Sequence, residues 1–251
     1  MSSRESPAHD NAADFAWQSD AVFDRIASRY DLLCDAFSFG IHRLWKRRVA
    51  DRIAIEEWST LLDGATGTGD IILRVVPTTS TQGRTIIASD VSTKMLAIAE
   101  QRLRGFRATV SLRELDAERM PSIESGSVDA YSISLGLKIC NRHLVMQEAF
   151  RVLKPGGRLI VLEASNIRSP LLHGAYLKYM AVCMPLLGWL ATGGDASAYR
   201  YLLQGIREFP TAEALVSELT NHGFVDVSFE RLTFGIVAIH IARKPKRRRD
   251  A

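Results

Sequence analysis

The hydrophobic pattern changes its rhythm three times along the chain. Between 20 and 55, Ala21, Phe23, Ile26, Ala27 and Tyr30 recur at helical spacing. Asp35 to Ile41, with Phe37, Phe39 and Gly40, reads as a turn, after which Leu44, Trp45, Val49 and Ile53 resume the helical period. From about residue 60, short apolar runs alternate with amphipathic ones. Leu61-Leu62-Asp63, Thr85 to Ala88, Val110 to Leu115, Val128 to Leu135 and Arg158 to Glu163 read as buried strands. Asp70 to Val76, Thr93 to Leu103 and Leu144 to Leu153 read as the helices between them. That alternation predicts a parallel sheet covered on both faces.

Residues 165–205 break the rhythm. Pro170 to Leu190 is the most apolar stretch, but His173, Lys178, Pro185 and Gly188 interrupt it. It therefore reads as two short helices over an apolar cavity rather than a membrane span. Thr211 to His222 is the next helix, closed by Gly223. Phe224 to Arg231 and Phe234 to Ile241 alternate like strands, with two residues between, which predicts an antiparallel pair at the sheet edge. The expected fold class is α/β: a Rossmann-like, seven-stranded, mostly parallel sheet with an antiparallel last strand, an N-terminal helical cap and an inserted helical lid. The expected organisation is a loose arm (1–19), the cap (20–57), the main domain (58–242) with the lid at 165–205, and a basic tail (243–251).

Composition narrows the class further. The chain has 251 residues, 47% of them hydrophobic, enough for a core without staples. Three widely spaced cysteines, Cys34, Cys140 and Cys183, fit neither a disulfide framework nor a zinc pattern, so no metal is expected and the compartment is a reducing one. The net charge is +4, and much of the excess sits after Ile241, so no nucleic-acid footprint is required. The N-terminus carries no secretory pattern. A cytoplasmic location follows, with peripheral membrane contact through the apolar lid as an option.

The chemistry-bearing signals gather at strand ends. Gly67-Thr68-Gly69 lies between a strand and a helix, where small residues let backbone N–H groups approach a ligand. The run from Gly64 to Asp70 fails the spacing of a dinucleotide fingerprint, because Thr66 and Ile72 stand where glycines are needed. Asp70, opening the helix, would repel a pyrophosphate and tolerate a cationic or zwitterionic ligand. Asp90, ending the second strand, is placed to accept from a ribose diol. Asp116, ending the third, can reach an adenine amine, and Met95 can pad the adenine face. Singly, each is as well explained by a helix cap or by plain core. Together they converge on the carboxyl edge of one sheet.

This arrangement resembles the class I S-adenosylmethionine-dependent methyltransferases. Asp63 to Gly69 looks like their first motif, and Leu153-Lys154-Pro155-Gly156-Gly157 like their late turn. The segments Val22–Asp31, Ser38–Arg47, Tyr199–Ile206 and Leu232–His240 narrow the resemblance to the ubiquinone/menaquinone biosynthesis C-methyltransferases, over about 20–242. The resemblance implies S-adenosylmethionine as cofactor, held by Tyr30, Asp63, Gly64, Thr66, Gly67, Gly69, Asp90, Val91, Met95, Asp116, Ala117 and Ser134. It implies a small aromatic acceptor, a prenylated quinol in the family, and a homodimer.

The departures lie on the acceptor side. Leu135-Gly136-Leu137-Lys138-Ile139 stands where the family carries Phe-Gly-Leu-Arg-Asn. Lys138 keeps the charge without the guanidinium fork, and Ile139 removes an amide. Cys34, Gly205 and Ala164 replace an asparagine, a serine and a phenylalanine. The expected activity is C-methylation of a quinol or phenol-like acceptor, altered here toward another aromatic, as in secondary metabolism. Lys138 is the candidate for stabilising a phenolate, His42 for relaying a proton, Asn141 for replacing the missing amide, and Tyr30 for closing over the cofactor. Ile139, Tyr176, Tyr179, Met180, Tyr199 and Tyr201 are the candidate acceptor wall. O- or N-methylation of a small aromatic or heterocycle, and cofactor binding without catalysis, are the alternatives.

Overall fold

The computed structural model describes residues 27, 30–78, 82–192 and 197–246, with the side chains of 30, 188, 190–192 and 197–201 left out. The arm, most of the Val22–Asp31 segment and the end of the basic tail lie outside the described residues. Helix α1 spans Tyr30–Ser38 and α2 spans His42–Ala54. Then follow β1 (Thr60–Gly64), α3 (Asp70–Val75), β2 (Thr85–Asp90), α4 (Thr93–Arg102), β3 (Val110–Glu114) and β4 (Val128–Ser134). The second half carries α5 (Arg142–Val152), β5 (Leu153–Ala164), α6 (Pro170–Thr192), α7 (Ser197–Glu208), α8 (Ala212–Asn221), β6 (Val225–Leu232) and β7 (Val237–Arg243).

The seven strands form one sheet in the order β3-β2-β1-β4-β5-β7-β6. Pairs from β3 through β5 are parallel, and β7 is antiparallel to both its neighbours. Successive side chains on a strand serve opposite faces. Leu61 of β1 thus joins Val49 and Ile53 of α2, Ile72 of α3 and Leu103 after α4 in one core. Leu62, its neighbour, joins Met146 and Ala149 of α5 and Leu215 and Leu219 of α8 in the other. A third, smaller cluster ties Leu33 of α1 to Met180 and Met184 of α6 and Leu202 and Leu203 of α7.

Three details differ from the sequence expectation. Asp35 to Ser38 continue α1, so the turn expected over Asp35 to Ile41 is confined to Phe39, Gly40 and Ile41. Pro170 to Leu190 is one helix rather than two; α6 runs through Pro185. Proline lacks the N–H that would bond the carbonyl of Ala181, so the ladder loses a rung without stopping. The link between β6 and β7 is longer than two residues. Thr233, Phe234 and Gly235 form a tight helical turn with φ of 49°, 58° and 100°. A Cβ on Gly235 would lie 2.7 Å from the Asn166 carbonyl oxygen, so glycine permits that approach. The Trp45 indole N–H donates to Thr233 Oγ1 at 2.7 Å and fastens this turn to α2.

Candidate active site

Strand order reverses between β1 and β4, the place where open α/β sheets take ligands beyond their carboxyl ends. The loop after β1 is shaped by left-handed residues: φ is 53° at Ala65, 56° at Gly67 and 79° at Gly69. A Cβ on Gly69 would meet Leu103 Cδ1 at 2.9 Å, whereas one on Gly67 would meet nothing within 4 Å. Gly69 is thus needed for close packing on α4, and Gly67 leaves open space over the loop. Asp63 is buried beneath, accepting from Thr66 Oγ1 at 2.7 Å and Ser132 Oγ at 2.6 Å. Burial pushes its carboxyl up to about 6, against those two hydrogen bonds.

Asp90 ends β2 and accepts from the Gly67 N–H at 2.8 Å and the Ser92 N–H at 2.9 Å. Ser92 in turn caps α4 through the Met95 N–H. Met95 and Ala117 are buried, Val91 is half-buried, and Asp116 is exposed with its carboxylate on the Glu118 N–H at 2.8 Å. Ser134 ends β4, and its buried hydroxyl has no hydrogen-bond partner among the described residues.

Charge around this loop is internally balanced. Asp70 receives Lys46 at 3.0 Å, Arg74 at 2.5 Å and Arg102 at 3.1 Å. Burial raises its carboxyl, but Lys46 and Arg74 outweigh burial and hold it well below the ordinary range. The sequence argument that Asp70 repels an anionic ligand therefore fails, because three cations neutralise it. Arg102 also donates to Asp31 at 2.8 Å and to the Thr68 carbonyl at 3.1 Å, while the Thr68 hydroxyl reaches Asp31 at 3.0 Å. Helix α1 is thereby fastened to the glycine loop.

Beside the crevice lies a cavity of about 450 Å³ with mostly apolar walls. Helix α1 contributes Leu33 and Phe37, α6 contributes Tyr176, Tyr179 and Met180, and the β6–β7 turn contributes Thr233. Its polar groups include His42, Ser38, Lys138 and Glu163. The turn after β4 belongs to both sites. Leu135, with φ of 59°, and Lys138 line the cavity, while a Cβ on Gly136 would stand 2.6 Å from the Ala65 Cβ of the glycine loop.

Lys138 Nζ donates to Glu163 Oε1 at 3.2 Å and to the Leu135 carbonyl. Glu163 Oε2 accepts from the Lys138 N–H at 3.0 Å, and Oε1 from the Ala164 N–H at 2.8 Å. Gly205 packs on this turn; a Cβ there would lie 3.0 Å from the Lys138 carbonyl oxygen.

His42 is buried at the start of α2. Ser38 spends its one hydroxyl proton on the Cys34 carbonyl at 2.7 Å, so His42 Nδ1–H donates to Ser38 Oγ at 2.9 Å. That tautomer leaves the Nε2 lone pair as a proton acceptor. Burial and the Lys46 charge push the imidazole down to about 4, so it is neutral at pH 7.

Tyr176 is pushed up to about 12, chiefly by burial, and remains a phenol. Ile139 packs in the α1–α6–α7 cluster rather than on the cavity wall, as Tyr179 and Met180 do. Asn141 is exposed, and its side chain caps α5 by accepting from the His143 and Leu144 N–H groups. The side chains of Tyr30, Tyr199 and Tyr201 lie outside the described residues. Glu163 and Ser38 were not singled out from sequence. Glu163 carries the same signal as Asp90, an acid at the carboxyl end of a central strand.

The ubiE/COQ5 methyltransferase family matches residues 13–244. A ubiquinone/menaquinone biosynthesis C-methyltransferase UbiE from Cellvibrio japonicus is 37% identical over 227 residues, covering 89% of this chain and 90% of that one. The same enzyme from Azotobacter vinelandii is 38% identical, covering 89% and 88%. Among solved structures, the cyclase SpnF superposes with a TM-score of 0.66 at 20% identity, covering 91% of this chain and 96% of the other. A possible histamine N-methyltransferase from Thermotoga maritima gives 0.62 at 19%, covering 90% and 99%. These structural likenesses establish the fold.

Proposed function

The chain belongs to the ubiE/COQ5 methyltransferase family and is an S-adenosylmethionine-dependent methyltransferase, and from that premise we propose that it methylates a ring carbon of a quinol or phenol-like acceptor seated in the apolar cavity. The observation that carries this reading is the shared turn: Gly136 presses on the glycine loop while Leu135 and Lys138 wall the cavity. The crevice fits the cofactor through the open space over Gly67, the Asp90 carboxylate and the unpartnered Ser134 hydroxyl. Bound there, S-adenosylmethionine supplies an electrophilic methyl group.

The chain's own residues manage the acceptor. The apolar walls exclude water and seat an aromatic ring. Lys138 offers a cation to the ring oxygen and so favours its ionisation; the ionised ring carries charge on its ortho carbon, and the proton on that carbon is lost once it is methylated. His42 is neutral at pH 7 and its Nε2 can accept the hydroxyl proton, but an imidazole pushed down to about 4 is a weak base and acts only on a hydroxyl that Lys138 has made more acidic. Tyr176 donates as a neutral phenol.

Among the described residues no helix is long and apolar enough to cross a membrane. Helix α6 nonetheless exposes Leu171, Leu172, Val182, Leu186 and Trp189, which supports peripheral contact with a lipid surface, where a prenylated acceptor would reside. Vesicle co-sedimentation tests that contact. Light scattering reads the alternative, a homodimer that covers the same face.

The deciding experiment offers labelled S-adenosylmethionine with a panel of reduced demethylated quinols, short-chain analogues, free phenols and N-heterocycles. Ring-carbon methylation, located by NMR, is the expected result. A product labelled only on oxygen or nitrogen overturns it.

A further inference from the structure

Glu163 is 1% exposed, yet it is one of the residues that line the cavity. A carboxylate in so apolar a place needs partners. Each of its oxygens reaches the turn after β4, Oε2 accepting from the Lys138 N–H and Oε1 from the Lys138 ammonium, and Oε1 also accepts from the N–H of Ala164, the next residue on β5. The Lys138 side chain is itself only 9% exposed. Of its three ammonium protons, Glu163 and the Leu135 carbonyl take two, and the third has no protein partner among the described residues.

We infer that Glu163 is a positioning residue that fixes Lys138, in backbone and side chain, as a cation for an acceptor oxyanion, so that the cavity selects acceptors able to ionise. Grasping both the amide and the ammonium of one residue removes the rotamer freedom that makes lysine a loose ligand. Gly205 gives the turn room beneath α7. The inference rests on the role proposed above for Lys138, and its test separates the two.

The probe is para-nitrophenol, whose phenolate is yellow and whose phenol is not. It is titrated with pH in the presence of the full-length protein and S-adenosylhomocysteine, so the readout does not depend on turnover. Wild-type protein should bind the phenolate preferentially and lower the probe's apparent pKa. Lys138→Met should abolish that shift. Glu163→Gln should weaken phenolate binding about tenfold, because the ammonium is then held less firmly at the cavity. Glu163→Asp, which keeps the charge one methylene away, should fall between, and equal affinity for S-adenosylhomocysteine certifies each variant as folded. If Glu163→Gln behaves as wild type while Lys138→Met does not, the inference about Glu163 fails and the role of Lys138 stands. If Lys138→Met also behaves as wild type, both fall.

Discussion

The glycine loop and the cavity beside it solve opposite problems with different materials. The loop is polar and short-range. Asp63, Thr66, Gly67 and Asp90 bond one another across the ends of adjacent strands, and three cations absorb the charge of Asp70. The cavity is apolar and assembled from afar. Its walls come from α1, α6, α7, the β4 turn and the β6–β7 turn, and its few polar groups are themselves tied down in pairs. A backbone-built site tolerates little change in shape. A side-chain-built cavity can change its occupant by single substitutions while the fold stays fixed.

The sharpest attack on this division is at Gly136, where the two regions touch. Gly136→Val forces a side chain into the Ala65 Cβ and should weaken cofactor binding by about a hundredfold or more through overpacking. Calorimetric titration with S-adenosylhomocysteine measures this, and unchanged affinity would mean that the loops move independently. Lys138→Met should act on one side only, lowering kcat/KM by roughly a hundredfold with cofactor affinity intact. A parallel loss of cofactor affinity would erase the distinction between the two sites.

The pH dependence divides the regions again. His42, held near 4 rather than 6.5, favours the folded state when neutral. Its contribution is complete above 6.5 and disappears as pH falls toward about 4. Asp63, raised from 3.8 to about 6, does the reverse, contributing below 3.8 and losing that contribution as pH rises through about 6. The two slopes oppose each other in that interval. Thermal melts of His42→Gln should therefore gain less stability than wild-type protein as pH rises from about 4 to 6.5. The smallest expected effect is at Asn141. Asn141→Ala should cost about 1 kcal/mol in denaturant unfolding and leave kcat unchanged, since the side chain serves as a cap. A large drop in kcat would return Asn141 to the acceptor site.

The same contrast explains what could be read from sequence. Strands, their alternation with helices and the acids at their ends are encoded locally, so the sheet and the glycine loop were legible. The placement of Asp90 at the end of β2 and of Met95 on α4 needed only spacing. The cavity depended on contacts between distant residues. Nothing in the spacing of 138 and 163, or of 31, 68 and 102, announces an ion pair or a bracket. Pro185 suggested a break because the local rule is strong, whereas α6 tolerates the missing rung. Asp70 misled for the same reason: its neutralising partners Lys46 and Arg102 lie on other helices.

Helix α1 spans both regions. Asp31 on its first turn holds Thr68 and Arg102, and Leu33 and Phe37 further along face the cavity. A nine-residue helix shifts as a unit, so an acceptor that displaces α1 changes the grip on the glycine loop. Thermodynamic reciprocity then requires each ligand to alter the other's affinity by the same factor. An acceptor that displaces α1 would in this sense be an effector of the cofactor, and titrations run in opposite orders should then return a single coupling constant.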